Sequence, residues 1–149
     1  MIKKIIQLLG NLIKSFYKKE PKINLEDFLI EEAIKTPASR ILEWAEAIKT
    51  FEGFYPGSKS HRNNNPGNIK NTNGTFLVFD TYQIGLDYLC RYLERACKGE
   101  HTAYKPDFSL LQFFEVYAPS NDGNSPQNYA RFVAQRLNVS IGIKIKELI

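Results

Sequence analysis

The chain has 149 residues, 43% hydrophobic and 13% aromatic, with a formal charge of +4, which is enough apolar material for one good core and makes a single folded domain the default. The charge is unevenly placed. Residues 1–22 carry six Lys against one Glu, and the remaining fourteen basic and fifteen acidic residues leave the body nearly neutral, which argues against a nucleic-acid-binding domain with its basic residues clustered on the folded module.

In the N-terminal arm, residues 1–22, Ile2, Ile5, Leu9, Leu12 and Phe16 form one helical stripe, and Lys4, Gln7, Asn11, Lys14 and Lys18 form another on the opposite side. This predicts a basic amphipathic helix. It is too short and too polar to span a bilayer, and no small-residue cleavage site of a signal peptide follows it. Such a face suits either an anionic membrane surface or packing of the apolar stripe on protein. Lys18-Lys19-Glu20-Pro21-Lys22 reads as a linker to a domain over residues 23–149. A helix is predicted from Leu25 to Lys35, capped by Asn24.

The next helix starts at Thr36 as cap with Pro37 in the first position, where the missing N–H costs nothing, and ends at Gly53. Ile41, Ala45 and Ile48 recur at helical spacing, and the next position on that stripe is Glu52, whereas Glu43 and Glu46 fall away from it and are expected to be solvated. A carboxyl that continues a buried face at the negative end of a helix should hold its proton more tightly than usual, as a general acid requires.

A polar loop then leads to Asn63-Asn64-Asn65-Pro66-Gly67-Asn68, in which Pro66-Gly67 fits a type II turn and Asn63, Asn64, Asn65 and Asn68 offer amide donors and acceptors suited to the hydroxyl and N-acetyl groups of an amino-sugar. Residues 67–70 and 76–79 are predicted as two short strands joined at Asn73-Gly74. Asp80, with Gln83 three residues on, makes a capping-box-like start for a helix from Thr81 to Lys98, and is otherwise a candidate second carboxylate. On that helix Cys90 and Cys97 lie seven residues apart, roughly 10 Å at helical rise, too far to bridge, so free thiols are expected. Neither a metal site nor a cofactor is indicated. His61 and His101 fall in polar loops. Phe108 to Val116 reads as a core helix stopped by Tyr117-Ala118-Pro119, and Ser125-Pro126 opens the last clear helix. The stretch from Val139 to Ile149 is ambiguous between helix and strand.

Phe51-Glu52-Gly53-Phe54 followed by Arg62-Asn63-Asn64-Asn65-Pro66-Gly67-Asn68 resembles a lysozyme-like family of bacteriophage and bacterial cell-wall enzymes, related to lytic transglycosylases and goose-type lysozymes. The likeness continues through Phe76 to Gly85, Tyr117-Ala118-Pro119 and Tyr129, and covers roughly residues 38 to 140. It implies a lysozyme-like α+β domain, mainly α, with a small β-hairpin forming one wall of a glycan cleft. It also implies cleavage of the β-1,4 bond between N-acetylmuramic acid and N-acetylglucosamine in peptidoglycan, with Glu52 as acid and base and Tyr117 and Tyr129 as sugar subsite residues. The family often has an acidic residue where Ser120-Asn121-Asp122 stands, which makes Asp122 a second candidate carboxylate beside Asp80. The resemblance further implies action at the cell wall or periplasm, with delivery by a virion or during lysis. The reading from a different class is a non-catalytic glycan-binding or virion structural module, docked to a membrane through its basic arm.

Overall fold

The computed structural model describes residues 37–149, within a compact unit spanning Thr36–Ile149. The amphipathic arm, the helix expected at residues 25–35 and the Thr36 cap lie outside the described residues.

The described residues are mainly helical. Helix α1 spans Pro37–Phe51 with proline in its first turn, and buries Ile41, Trp44, Ala45, Ala47 and Ile48, so the predicted stripe is widened by an indole. Its end is set by Gly53 at φ +68: the Gly53 amide donates to the Thr50 carbonyl and the Phe54 amide to the Lys49 carbonyl, both at 3.2 Å. This paired closure satisfies two otherwise orphaned carbonyls and leaves Glu52 as the capping residue of the helix.

Helix α2, Lys59–Arg62, is capped by Ser58, whose hydroxyl accepts from the His61 amide. Helix α3, Tyr82–Lys98, buries Leu86, Leu89, Leu93, Ala96 and Cys97; Ile84 and Tyr88 turn outward, with 45% and 38% of their surfaces exposed. Helix α4, Leu110–Tyr117, opens with a reciprocal capping box between Ser109 and Gln112. Helix α5, Pro126–Leu137, opens on a Ser125 cap and closes on Asn138 at φ +53. Helix α1 packs against α5 and α3, and α4 against α5. Trp44 meets Phe113 edge-on at 4.8 Å, and Phe113 stacks on Tyr104 at 4.6 Å and on Tyr117 at 5.4 Å. Each such side chain contributes about 1.5–3 kcal/mol through burial.

Several expectations are corrected. Residues 67–70 and 76–79 form no strands: a single antiparallel bridge joins Lys70 to Phe76, and Asn71 closes the connection through its own backbone and side-chain bonds to Thr75. A run of asparagines can satisfy backbone groups from its side chains, so the ladder that the strand pattern predicted is not needed. Gly67 does not have the positive φ of a type II turn. It is glycine for space, because a Cβ there would lie 2.6 Å from the Tyr117 hydroxyl. Thr81, not Asp80, caps α3, its side chain accepting from the Ile84 amide, while Gln83 reaches forward to Asp87. Glu46 is only partly solvated: it pairs with Lys49 and accepts from the Tyr82 hydroxyl at 3.1 Å. The chain after α5 is neither a regular helix nor a strand. It bridges Ser109 through Lys144 and ends in a 3-10 turn, Ile145–Leu148, that buries Ile145 and Leu148. Cys90 and Cys97 are free, and burial pushes the Cys97 thiol up to about 12.

Candidate functional site

Glu52 follows directly on α1, and its amide still donates to Ile48 at 2.9 Å, which fixes the side chain on the inward face. Its carboxylate receives two hydrogen bonds from distant parts of the chain. The Tyr129 hydroxyl on α5 donates to Oε1 at 2.7 Å, and the Asn68 amide donates to Oε2 at 2.8 Å. Burial raises the carboxyl above the usual range, and the bonds from Asn68 and Tyr129 work against that rise. No cation assists them among the described residues, so desolvation wins.

The two donors are themselves fixed. Tyr129 is sandwiched between Phe51 at 3.9 Å and Phe114 at 4.2 Å, an arrangement worth about 0.5–1.5 kcal/mol per stacked pair beyond simple burial. Asn68 sits at φ +47, a conformation asparagine tolerates, and its Oδ1 is buried with no hydrogen-bond partner. Tyr117 donates to the Gly67 carbonyl at 2.6 Å and so clamps the turn that carries Asn68. Burial holds the Tyr117 and Tyr129 phenols protonated, as donors.

Glu52, Asn68 and Tyr117 border a cleft of about 470 Å³, whereas Tyr129, expected as a sugar subsite residue, is buried and outside its lining. Glu52, Gly67, Asn68 and Tyr117 form one part of its lining; Ile69, Lys70 and Phe76 another; Tyr92 and Tyr104 a third; and Val116 to Pro119 with Asp122 and Asn124 the rest. Lys70 and Asp122 pair across 3.0 Å. The cleft thus offers a half-buried acid, aromatic and apolar surface, and several amide and hydroxyl groups, a combination suited to a neutral polyhydroxylated chain.

Not every predicted residue reaches this place. Asn63 meets Phe79 through its backbone carbonyl, at 2.9 Å. The Asn64 amide donates to the carbonyls of Phe79 and Asp80 at 2.9 and 3.3 Å. Asn65 is fully buried: its nitrogen donates to Ile69 and Leu77, each at 2.9 Å, and its oxygen accepts from the Ile69 amide at 3.0 Å. None of the three lines the cleft; they are the frame that carries Asn68. Asp80 is exposed and lies outside the lining, whereas Asp122 belongs to it. His61 is exposed, with its ring against Phe54 at 5.2 Å. The sequence reading missed Lys70, Phe76, Val116 and Asn124, which have no motif of their own. Val116 falls at an apolar helix position that predicted burial, yet 41% of its surface is open.

Among the described residues no cluster of His, Cys, Asp and Glu could hold a metal ion, and no helix is long and apolar enough to cross a membrane. Comparison of the chain with protein-family models, with curated proteins and with solved structures returned no match.

Proposed function

We propose that this chain is a lysozyme-like glycosidase that cleaves the β-1,4 bond between N-acetylmuramic acid and N-acetylglucosamine in peptidoglycan, as a muramidase or a lytic transglycosylase. The observation that carries this reading is the Glu52 carboxyl, made more basic by burial yet open to a cleft, and held by donors on both oxygens. Glu52 enters as the acid and protonates the glycosidic oxygen as the bond to the anomeric carbon breaks. The resulting carboxylate is the form that Tyr129 and Asn68 hydrogen-bond best, so these two positioning residues favour the state in which the proton has been given up.

Two carboxylates usually share such a reaction. Asp80 lies outside the cleft, and Asp122 is engaged by Lys70, so a route through Glu52 alone fits best. In that route the 6-hydroxyl of the same sugar attacks the anomeric carbon, Glu52 takes the hydroxyl proton, and a 1,6-anhydro end is released. The acid is thereby regenerated without a second group. The partner is a glycan strand of the wall, and no cofactor enters the scheme.

The test is to incubate the full chain with purified sacculi and analyse the soluble fragments by mass spectrometry. Anhydro ends are expected, and Glu52→Gln should slow release by about 10²–10⁴-fold while sacculus binding persists. Release by Glu52→Gln at the native rate would overturn the assignment. Binding of sacculi with no fragments from either protein would favour the non-catalytic module instead.

A further inference from the structure

A second hollow of about 600 Å³ is lined by Ile69 to Thr72 and Leu77, by residues of α3 and by His101. The two share Ile69, Lys70 and Tyr92, so they are neighbouring parts of one surface. Their chemistry differs. The second hollow is lined by three permanent cations, Lys70, Arg91 and Arg95, and by no carboxylate.

Arg91 and Arg95 stand one turn apart on α3 and therefore point the same way. Among the described residues Arg95 donates only to the Glu100 carbonyl, at 3.1 Å, and has no carboxylate as ion-pair partner. Lys70 is paired, but with Asp122, which belongs to the first cleft. Among the described residues neither arginine is ion-paired with the neighbouring acids: Glu94 is paired with Lys98, and the Asp87 carboxylate accepts from Gln83. His101 closes one side of the hollow, with its ring edge-on to Tyr92 at 4.7 Å and its Nδ1 accepting from the Ala103 amide at 3.3 Å. That bond leaves Nε2 as a donor. Burial and the nearby Arg95 both lower the proton affinity of His101, so it adds a neutral N–H rather than another charge.

We propose that this hollow binds the carboxylates of the peptide substituent borne by the glycan strand lying in the adjacent cleft, with Arg91 and Arg95 as the recognising groups. The inference rests on the reading of the cleft as a glycan site. Guanidinium groups form paired hydrogen bonds with carboxylates, and two of them one helical turn apart suit a substituent with two acidic groups. A strand seated against Glu52 would carry its substituent past Lys70, where cleft and hollow meet. Bare and peptide-bearing strands would then bind with different affinity, although the bond cleaved is the same.

The experiment has two arms, both on the full chain. In the first, sacculi are compared with glycan strands stripped of peptide by an amidase. Arg91→Ala with Arg95→Ala should reduce the apparent affinity for peptide-bearing strands by about tenfold or more and leave cleavage of stripped strands unchanged. Equal loss on both substrates, or no loss on either, would overturn the proposal. In the second, N-lactoyl-alanyl-γ-glutamate is titrated by calorimetry against native and doubly substituted protein, beside its uncharged diamide. Salt-sensitive binding of the dicarboxylate to the native chain alone is expected; equal binding of the diamide, or undiminished binding by the variant, would overturn it. Arg91→Lys with Arg95→Lys should recover only part of the affinity, because an ammonium lacks the planar fork. The second arm needs no turnover, so it decides the matter even if Glu52 proves not to be a catalytic acid.

Discussion

Replacing Gly85 by Ala sets two effects of opposite sign against each other. In an ordinary helix the change stabilises by up to about 1 kcal/mol, because alanine loses less backbone entropy than glycine. Here a Cβ on Gly85 would lie 1.8 Å from the Asn64 carbonyl oxygen and 3.1 Å from the Phe79 ring. An ordinary carbon–oxygen contact is roughly 3.3 Å, so the carbonyl would have to recede by about 1.5 Å. Asn64 cannot move alone, because its amide holds Phe79 and Asp80 and its neighbour Asn63 accepts from the Phe79 amide. Overpacking costs about 1–3 kcal/mol, and each strained hydrogen bond adds about 0.5–1.5 kcal/mol. The steric cost therefore wins, with a net loss of about 2–4 kcal/mol and a fall in Tm on the order of 10 °C. Differential scanning calorimetry measures this directly, with Gly142→Ala as the control, since the nearest atom to a Cβ there is the Ser140 hydroxyl at 3.6 Å. Sacculus cleavage should fall in parallel as Asn68 is displaced from Glu52. An unchanged or raised Tm for Gly85→Ala would refute the close approach of the amide run to α3.

Further outcomes follow from the same geometry. Asn65→Ala strands the amide of Ile69 and the carbonyl of Leu77, while the Ile69 carbonyl keeps the Leu77 amide as donor, and should cost about 2–4 kcal/mol in urea unfolding. Tyr129→Phe keeps the ring stack but removes a donor to the carboxylate, so the Glu52 carboxyl should titrate at higher pH, read by NMR, and the alkaline limb of the cleavage profile should move up. Because burial raises the folded-state affinity of Glu52 for its proton, that group's contribution to stability is fully present below the unfolded value and is lost as pH rises through the folded one. Glu52→Gln cannot ionise, so its Tm minus that of the native protein should increase as pH rises from about 4 to neutrality; a decrease in that difference would contradict the buried-acid description.

Local signals were the legible part of the sequence. Pro37, Ser125-Pro126 and Gly53 mark helix ends through bonds made within a few residues, and the helix boundaries follow them closely. The inward side of Glu52 was readable for the same reason, as one more step along a periodic stripe. Long-range pairings were not readable. Asparagines that serve as frame and asparagines that face a ligand look identical until Phe79 and Leu77 are brought beside them. Gly67 and Gly85 look like turn and helix glycines, and only the approach of Tyr117 and Asn64 shows that each is a gap left for another group.

The bonds that shape the Glu52 carboxyl come from far along the chain: Asn68 is 16 residues away and Tyr129 is 77. The clamp on the turn beside Asn68 closes a loop of 50 residues. No peptide fragment of the molecule can reproduce that neighbourhood, so an unfolded or nicked chain carries only a commonplace glutamate. Reactivity of this acid is consequently all-or-none with respect to the native architecture, and its titration doubles as a gauge of whether the whole unit has assembled.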